Sequence, residues 1–224
     1  EAMSRHTMDV DNVHWPAKLK YYGDSNDAID FWKMDDGGSD NIKETPYLGI
    51  GRRHAGEHWT ALLSAHVWVQ GWVASYYLTG YHRGLDIARL TADSYMKRMW
   101  GDHGITGRRL YLSVWNLVET YDATKDPRYL KELKERVDMM LNLQNGPDQY
   151  GSFTIDRYGY SNPYVSHGLY KYHQLTNDKR VRNGLIKHAR AVRDNPPYNH
   201  EYESLLSTIH SLIVGYELSN EKSF

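Results

Sequence analysis

Tyr121-Asp122-Ala123-Thr124-Lys125-Asp126, with Pro127 directly after it, joins two stretches of different apolar pattern. Before it, Leu110, Leu112, Val114, Trp115, Leu117 and Val118 surround a helix on several sides. After it, Leu130, Leu133, Val137 and Met140 mark a single stripe. The 3.6-residue spacing predicts helices over 108–123 and 127–144. Asp126 is the N-cap of the second, and Pro127 stands where a missing N–H is harmless. Similar junctions occur at Tyr77-Leu78-Thr79-Gly80, Leu175-Thr176-Asn177-Asp178 and Leu218-Ser219-Asn220. Aligned on Thr79, Thr124, Thr176 and Ser219, they lie 45, 52 and 43 residues apart. A period of this length is that of stacked helical hairpins, each burying its apolar side against the next.

Working outward, the first pair is predicted over 57–79 and 82–99. Its first helix carries Trp59, Leu62, Leu63, Val67, Trp68, Val69, Trp72, Val73 and Tyr76, which implies burial on several sides. The second has Leu85, Ala88, Ala92, Tyr95 and Met99 on one face, and Arg83, Arg89 and Lys97 on the other. A third pair begins at Asn162-Pro163, and its second helix presents Val181, Leu185 and Val192. A final helix, 202–217, reads as buried through Leu205, Leu206, Ile209, Leu212 and Ile213. Many-sided helices alternating with one-sided ones predict an inner and an outer row, an all-α fold of helical hairpins. Residues 1–56 form an irregular lead-in, with turns at Tyr21-Tyr22-Gly23-Asp24, Asp35-Asp36-Gly37-Gly38-Ser39-Asp40 and Thr45-Pro46. The hairpin domain occupies 57–224. The acidic run 35–40 lacks the ligand spacing of a calcium loop and reads as solvated.

The chain has 224 residues and a net charge of −1. No basic stripe is present, which argues against nucleic acid. Every apolar run is interrupted by His, Gln or Tyr, which argues against a membrane span. With no cysteine, disulfides and thiolate metal sites are excluded. The aromatic balance is 19 Tyr and 7 Trp against 3 Phe. Aromatics with a polar handle suit surfaces that are partly apolar and partly wet, as a carbohydrate groove is, and also suit helix seams.

The most concentrated chemistry is Arg52-Arg53-His54-Ala55-Gly56-Glu57-His58-Trp59, where loop is predicted to become helix. A helix start offers unpaired N–H groups to an anion, and the two arginines add to that attraction. Together with Tyr76-Tyr77-Leu78-Thr79-Gly80 and Leu85-x-x-Ala88-x-x-x-Ala92-Asp93, this segment resembles the (α/α)-toroid carbohydrate-active proteins. The nearest likeness is to polysaccharide lyases acting on uronate- or rhamnose-containing polymers. The resemblance implies an incomplete (α/α) toroid, since about six hairpins close such a ring and three and a half are read here. It implies a piece of a longer protein, with the remainder of that protein or a second copy as partner. It further implies a secreted or periplasmic setting; the chain carries no signal peptide and begins at Glu1 rather than Met, as a chain with its leader removed would.

β-Elimination from a uronate needs a group that neutralises the carboxylate, a base for the proton beside it, and an acid for the leaving oxygen. Arg52 and Arg53 suit the carboxylate. His54 or His58 suits the base, and Glu57 and Trp59 would line the sugar. Asp156-Arg157-Tyr158-Gly159-Tyr160-Ser161-Asn162-Pro163-Tyr164 enters a later inner helix at the same position in its hairpin. It adds Tyr158 and Tyr160 as catalytic candidates and Arg157 and His167 as binding candidates. The expected ligand is an acidic polysaccharide or oligosaccharide, with no cofactor and no metal. Bland readings stand beside these: Tyr164 as core, and His66, His167 and His173 as seam histidines with one backbone partner each. His54-x-x-Glu57-His58 also matches an inverted zinc-peptidase motif. Gly56 and the two arginines place His54 ahead of the helix and speak against it. Glu57 with Asp156 is the pair a glycoside hydrolase would use. A solenoid that binds glycan or protein without turnover is the third class.

Overall fold

The computed structural model describes residues 68–96, 107–145, 151–153, 162–196 and 202–224. Among them are seven helices and no strand: α1 Gln70–Thr79, α2 His82–Met96, α3 Gly107–Thr124, α4 Pro127–Gln144, α5 Asn162–Thr176, α6 Lys179–Asp194 and α7 Tyr202–Ser219. The protein is all-α over this range. The chain divides into two compact units, Glu1–Ile105 with Ala123–Lys125, and Thr106–Asp122 with Asp126–Phe224. The expected boundary between 56 and 57 lies outside the described residues.

The recurring junction has one geometry. Thr79, Thr176 and Ser219 each bond their side-chain hydroxyl to the carbonyl four residues back, at 2.6, 2.8 and 2.7 Å. The next residue turns left-handed: Gly80 at φ 71°, Lys125 at 55°, Asn177 at 53° and Asn220 at 61°. That turn ends the helix while the amides of Gly80, Asn177 and Asn220 still reach the carbonyl four residues back. Asp126 and Asp178 then cap the following helices, each accepting at 2.9 Å from the backbone N–H two residues on. The repeat read from the sequence is therefore a repeat of stop and start signals.

In the first unit, α1 packs on α2. Leu85, Ala88, Ala92 and Tyr95 form the predicted buried stripe of α2, and Met99 and Lys97 fall outside the described residues. The described part of the 57–79 helix departs from expectation. Val69 and Val73 are buried, Trp72 and Tyr76 are half-buried, and Trp68 is exposed. An apolar sequence does not supply its own neighbours; among the described residues Val69 and Val73 pack with Ala88 of α2, and Trp72 and Ala123 lie against them.

In the second unit, α5 lies against α3 on one side and α7 on the other, while α6 packs on α4, α5 and α7. Helices α3, α5 and α7 thus form one row, and α4 and α6 a second row behind it. Close approach relies on glycine. A Cβ at Gly168 of α5 would stand 3.1 Å from the Trp115 backbone of α3, and one at Gly215 of α7 would collide with the Ala189 Cβ of α6. The rows are also bolted by polar groups. Arg136 of α4 is buried and donates to Glu132 and to Ser113 of α3, both at 2.8 Å. Gln144 donates to the carbonyls of Gly151 and Gly184 at 2.7 and 2.8 Å.

Leu133, Val137 and Met140 of α4, and Val181, Leu185 and Val192 of α6, are buried as expected. Helix α7 is a correction. Ile209 and Ile213 are 47% and 48% exposed, and Val214, Thr208 and Ser211 face the core instead. The apolar pattern of α7 wraps its whole circumference, so pattern alone did not select the side that α5 and α6 would cover.

Candidate functional site

The side of α3, α5 and α7 turned away from α4 and α6 carries a row of half-buried rings. Trp115 of α3 stacks on His167 of α5, with centroids 4.8 Å apart and planes 10° apart. His167 stacks in turn on His210 of α7, at 3.5 Å and 25°. Tyr164 extends the row, its ring 6.1 Å from Trp115. Tyr164 is thus half-buried on this face, not in the core. Among the described residues His167 bonds no backbone group as a seam histidine would; Trp115 and His210 stack against it. His173 does fit the seam reading, its Nδ1 lying 3.1 Å from the Asp178 carbonyl.

Local sequence explains the row. Trp115, His167 and His210 each stand nine residues before the hydroxyl residue of their junction, Thr124, Thr176 and Ser219. Equivalent positions in adjacent repeats face the same way and meet at the spacing of neighbouring helices. Ser166, fully buried beneath the row, holds His210 through an Oγ–Nδ1 contact of 2.7 Å.

Charged groups flank the rings one turn further along. Lys171 Nζ reaches Glu119 at 2.5 Å and Asp122 at 3.1 Å. The Trp115 indole N–H donates to the other oxygen of Glu119 at 3.2 Å, linking ring row and charge cluster. Glu217 of α7, beside Tyr170, raises the pKa of the Tyr170 hydroxyl. Burial works against the Lys171 ammonium, but its bonds to Glu119 and Asp122 outweigh that and raise its pKa. Burial lowers the pKa of His167, partly opposed by Glu119. Burial and then the neighbouring His167 bring His210 down to about 4. Both imidazoles are neutral near pH 7, which permits their close stacking.

A second polar cluster lies in the core. His188 is fully buried, with Nδ1 3.3 Å from the Phe153 N–H and 3.1 Å from Ser152 Oγ. The Tyr111 hydroxyl donates to the Phe153 carbonyl at 2.5 Å. These bonds anchor 151–153, directly ahead of the segment containing Arg157, Tyr158 and Tyr160.

Of the residues selected from sequence, His167 alone is described. Arg52, Arg53, His54, Glu57, His58, Trp59, Arg157, Tyr158 and Tyr160 lie outside the described residues, as do the zinc-like motif and the Glu57–Asp156 pair. Among the described residues no three His, Cys, Asp or Glu side chains gather as a metal site, and no helix is long and apolar enough to cross a membrane. Sequence reasoning missed Trp115, Glu119, Ser166, Lys171 and His210 as site residues. The signal that finds them is the repeat register, counted back from each junction. No family model, curated protein or solved structure matches the chain.

Proposed function

We propose that this protein is carbohydrate-active, that its hairpins belong to an (α/α) toroid with the α3–α5–α7 face inward, and that it cleaves an acidic polysaccharide by β-elimination. The observation that carries the carbohydrate reading is the row Tyr164–Trp115–His167–His210. Half-buried rings with polar edges match a ligand that shows C–H faces and hydroxyl edges together. The lyase chemistry rests on the sequence: Arg52, Arg53 and Arg157 for the uronate carboxylate, His54 or His58 as base, and Tyr158 or Tyr160 as acid. A hydrolase gains no support from Glu119 and Asp122, because one ammonium ties up both carboxylates.

The test is incubation with uronate polymers without added metal. Unsaturated products, read by their ultraviolet absorbance, are expected. New reducing ends without that absorbance would make the protein a hydrolase. Binding with no turnover would make it a non-catalytic hairpin solenoid.

A further inference from the structure

The ring row offers stacked faces and imidazole nitrogens. Ser166 Oγ has one hydrogen to share among the Asn162 carbonyl at 2.9 Å, the Pro163 carbonyl at 3.4 Å and His210 Nδ1 at 2.7 Å. When that hydrogen goes to a carbonyl, the oxygen accepts from His210 and the imidazole proton sits on Nδ1. Nε2 is then the acceptor, and it has no partner among the described residues. His167 bonds no neighbour through its ring nitrogens either. Among the described residues, Glu119, Asp122 and Glu217 stand near the row with the ammonium of Lys171, a balance that does not favour a carboxylate.

We propose that the Trp115–His167–His210 row is a subsite for an uncharged sugar unit, in which His210 Nε2 accepts a hydrogen bond from a ligand hydroxyl. This deepens the carbohydrate reading and does not depend on the lyase chemistry. It divides the labour on the polymer, with the uronate at the arginines and a neutral unit at the ring row. Ser166 is a positioning residue, since it fixes the tautomer that makes Nε2 an acceptor. The imidazole keeps that acceptor over the neutral range because burial holds its pKa near 4.

The experiment compares matched tetrasaccharides that differ only in bearing a hydroxymethyl group or a carboxylate at C5, in gluco, galacto and manno series. Each is titrated into the intact chain with ¹⁵N-labelled histidine. Before ligand, His210 is expected to show a protonated Nδ1 and a bare Nε2; the opposite tautomer overturns the proposal. At least one neutral oligomer is expected to shift Nε2 more than its uronate counterpart. An equal or larger shift from the uronate partners, or no shift from any oligomer, overturns it. His210→Phe keeps a stacking ring and deletes the acceptor, and is expected to weaken neutral-oligomer binding about tenfold. If that variant does not fold, the wild-type titration decides alone. Absence of unsaturated product from uronate polymers would sink the lyase reading and leave this subsite standing.

Discussion

His167 and His210 lie face to face with ring centroids 3.5 Å apart, and each stands nine residues before the hydroxyl residue that closes its helix. With Trp115 at the equivalent position of α3, the repeat places three rings in contact across three helices. The contact depends on how near the helices approach.

Gly168→Ala tests that approach. The added Cβ would stand 3.1 Å from three atoms of Trp115, two of them backbone. Helices α3 and α5 must separate by a few tenths of an ångström, at a cost of about 1–3 kcal/mol. The urea midpoint is expected to fall, and the ring-current shift of His167 to shrink. An unchanged midpoint with an unchanged shift would show that Gly168 does not set the spacing.

His188 makes stability depend on pH. Burial lowers its pKa to about 4, below the value of about 6.5 it takes when unfolded. The fold therefore favours the neutral ring. Its contribution is complete above about pH 6.5, declines as pH falls, and is gone near pH 4, where the folded form also takes the proton. The full loss is on the order of 3 kcal/mol. Comparing urea midpoints of parent and His188→Gln from pH 7 to 4 isolates this term, because His167 and His210 titrate in both. Parallel curves would contradict it.

Arg136 bridges α3 and α4 from a buried position. Arg136→Ala leaves Glu132 and Ser113 without their partner and is expected to cost about 3–5 kcal/mol. Arg136→Lys recovers little, because the two bonds leave from separate nitrogens of one planar fork. Arg136→Met fills the volume without a charge, and its combination with Glu132→Gln is expected to recover more than half of the loss. Denaturant melts of the four variants rank them.

Lys125 adopts φ 55° at the α3–α4 junction, a conformation that costs a side-chain-bearing residue about 1 kcal/mol. Lys125→Gly relieves that strain and is expected to stabilise the protein by about 0.5 kcal/mol after the entropy glycine loses on folding. A fall in melting temperature would show that the lysine side chain holds a compensating contact.

Much of the fold is legible in the chain because its signals are local. Asp126 with Pro127, Asp178, and the hydroxyl residue followed by Gly80, Lys125, Asn177 or Asn220 set helix ends through bonds spanning two to four residues. The one-sided stripes of α2, α4 and α6 needed only their own period. The ring row was legible in principle, since Trp115, His167 and His210 share one register.

Tertiary structure alone decided which sides of the apolar helices found neighbours. Ile209 and Ile213 of α7, and Trp68 just ahead of α1, are exposed although they were expected among the buried residues. Hydrophobicity drives burial without direction, so a helix apolar all round leaves its orientation to the partners packed on it. The histidines show the same limit. His167, His173 and His188 look alike in sequence, yet one is sandwiched between rings, one bonds a backbone carbonyl, and one is sealed neutral in the core. Their protonation and partners depend on residues brought in from other helices, and those distances belong to the fold.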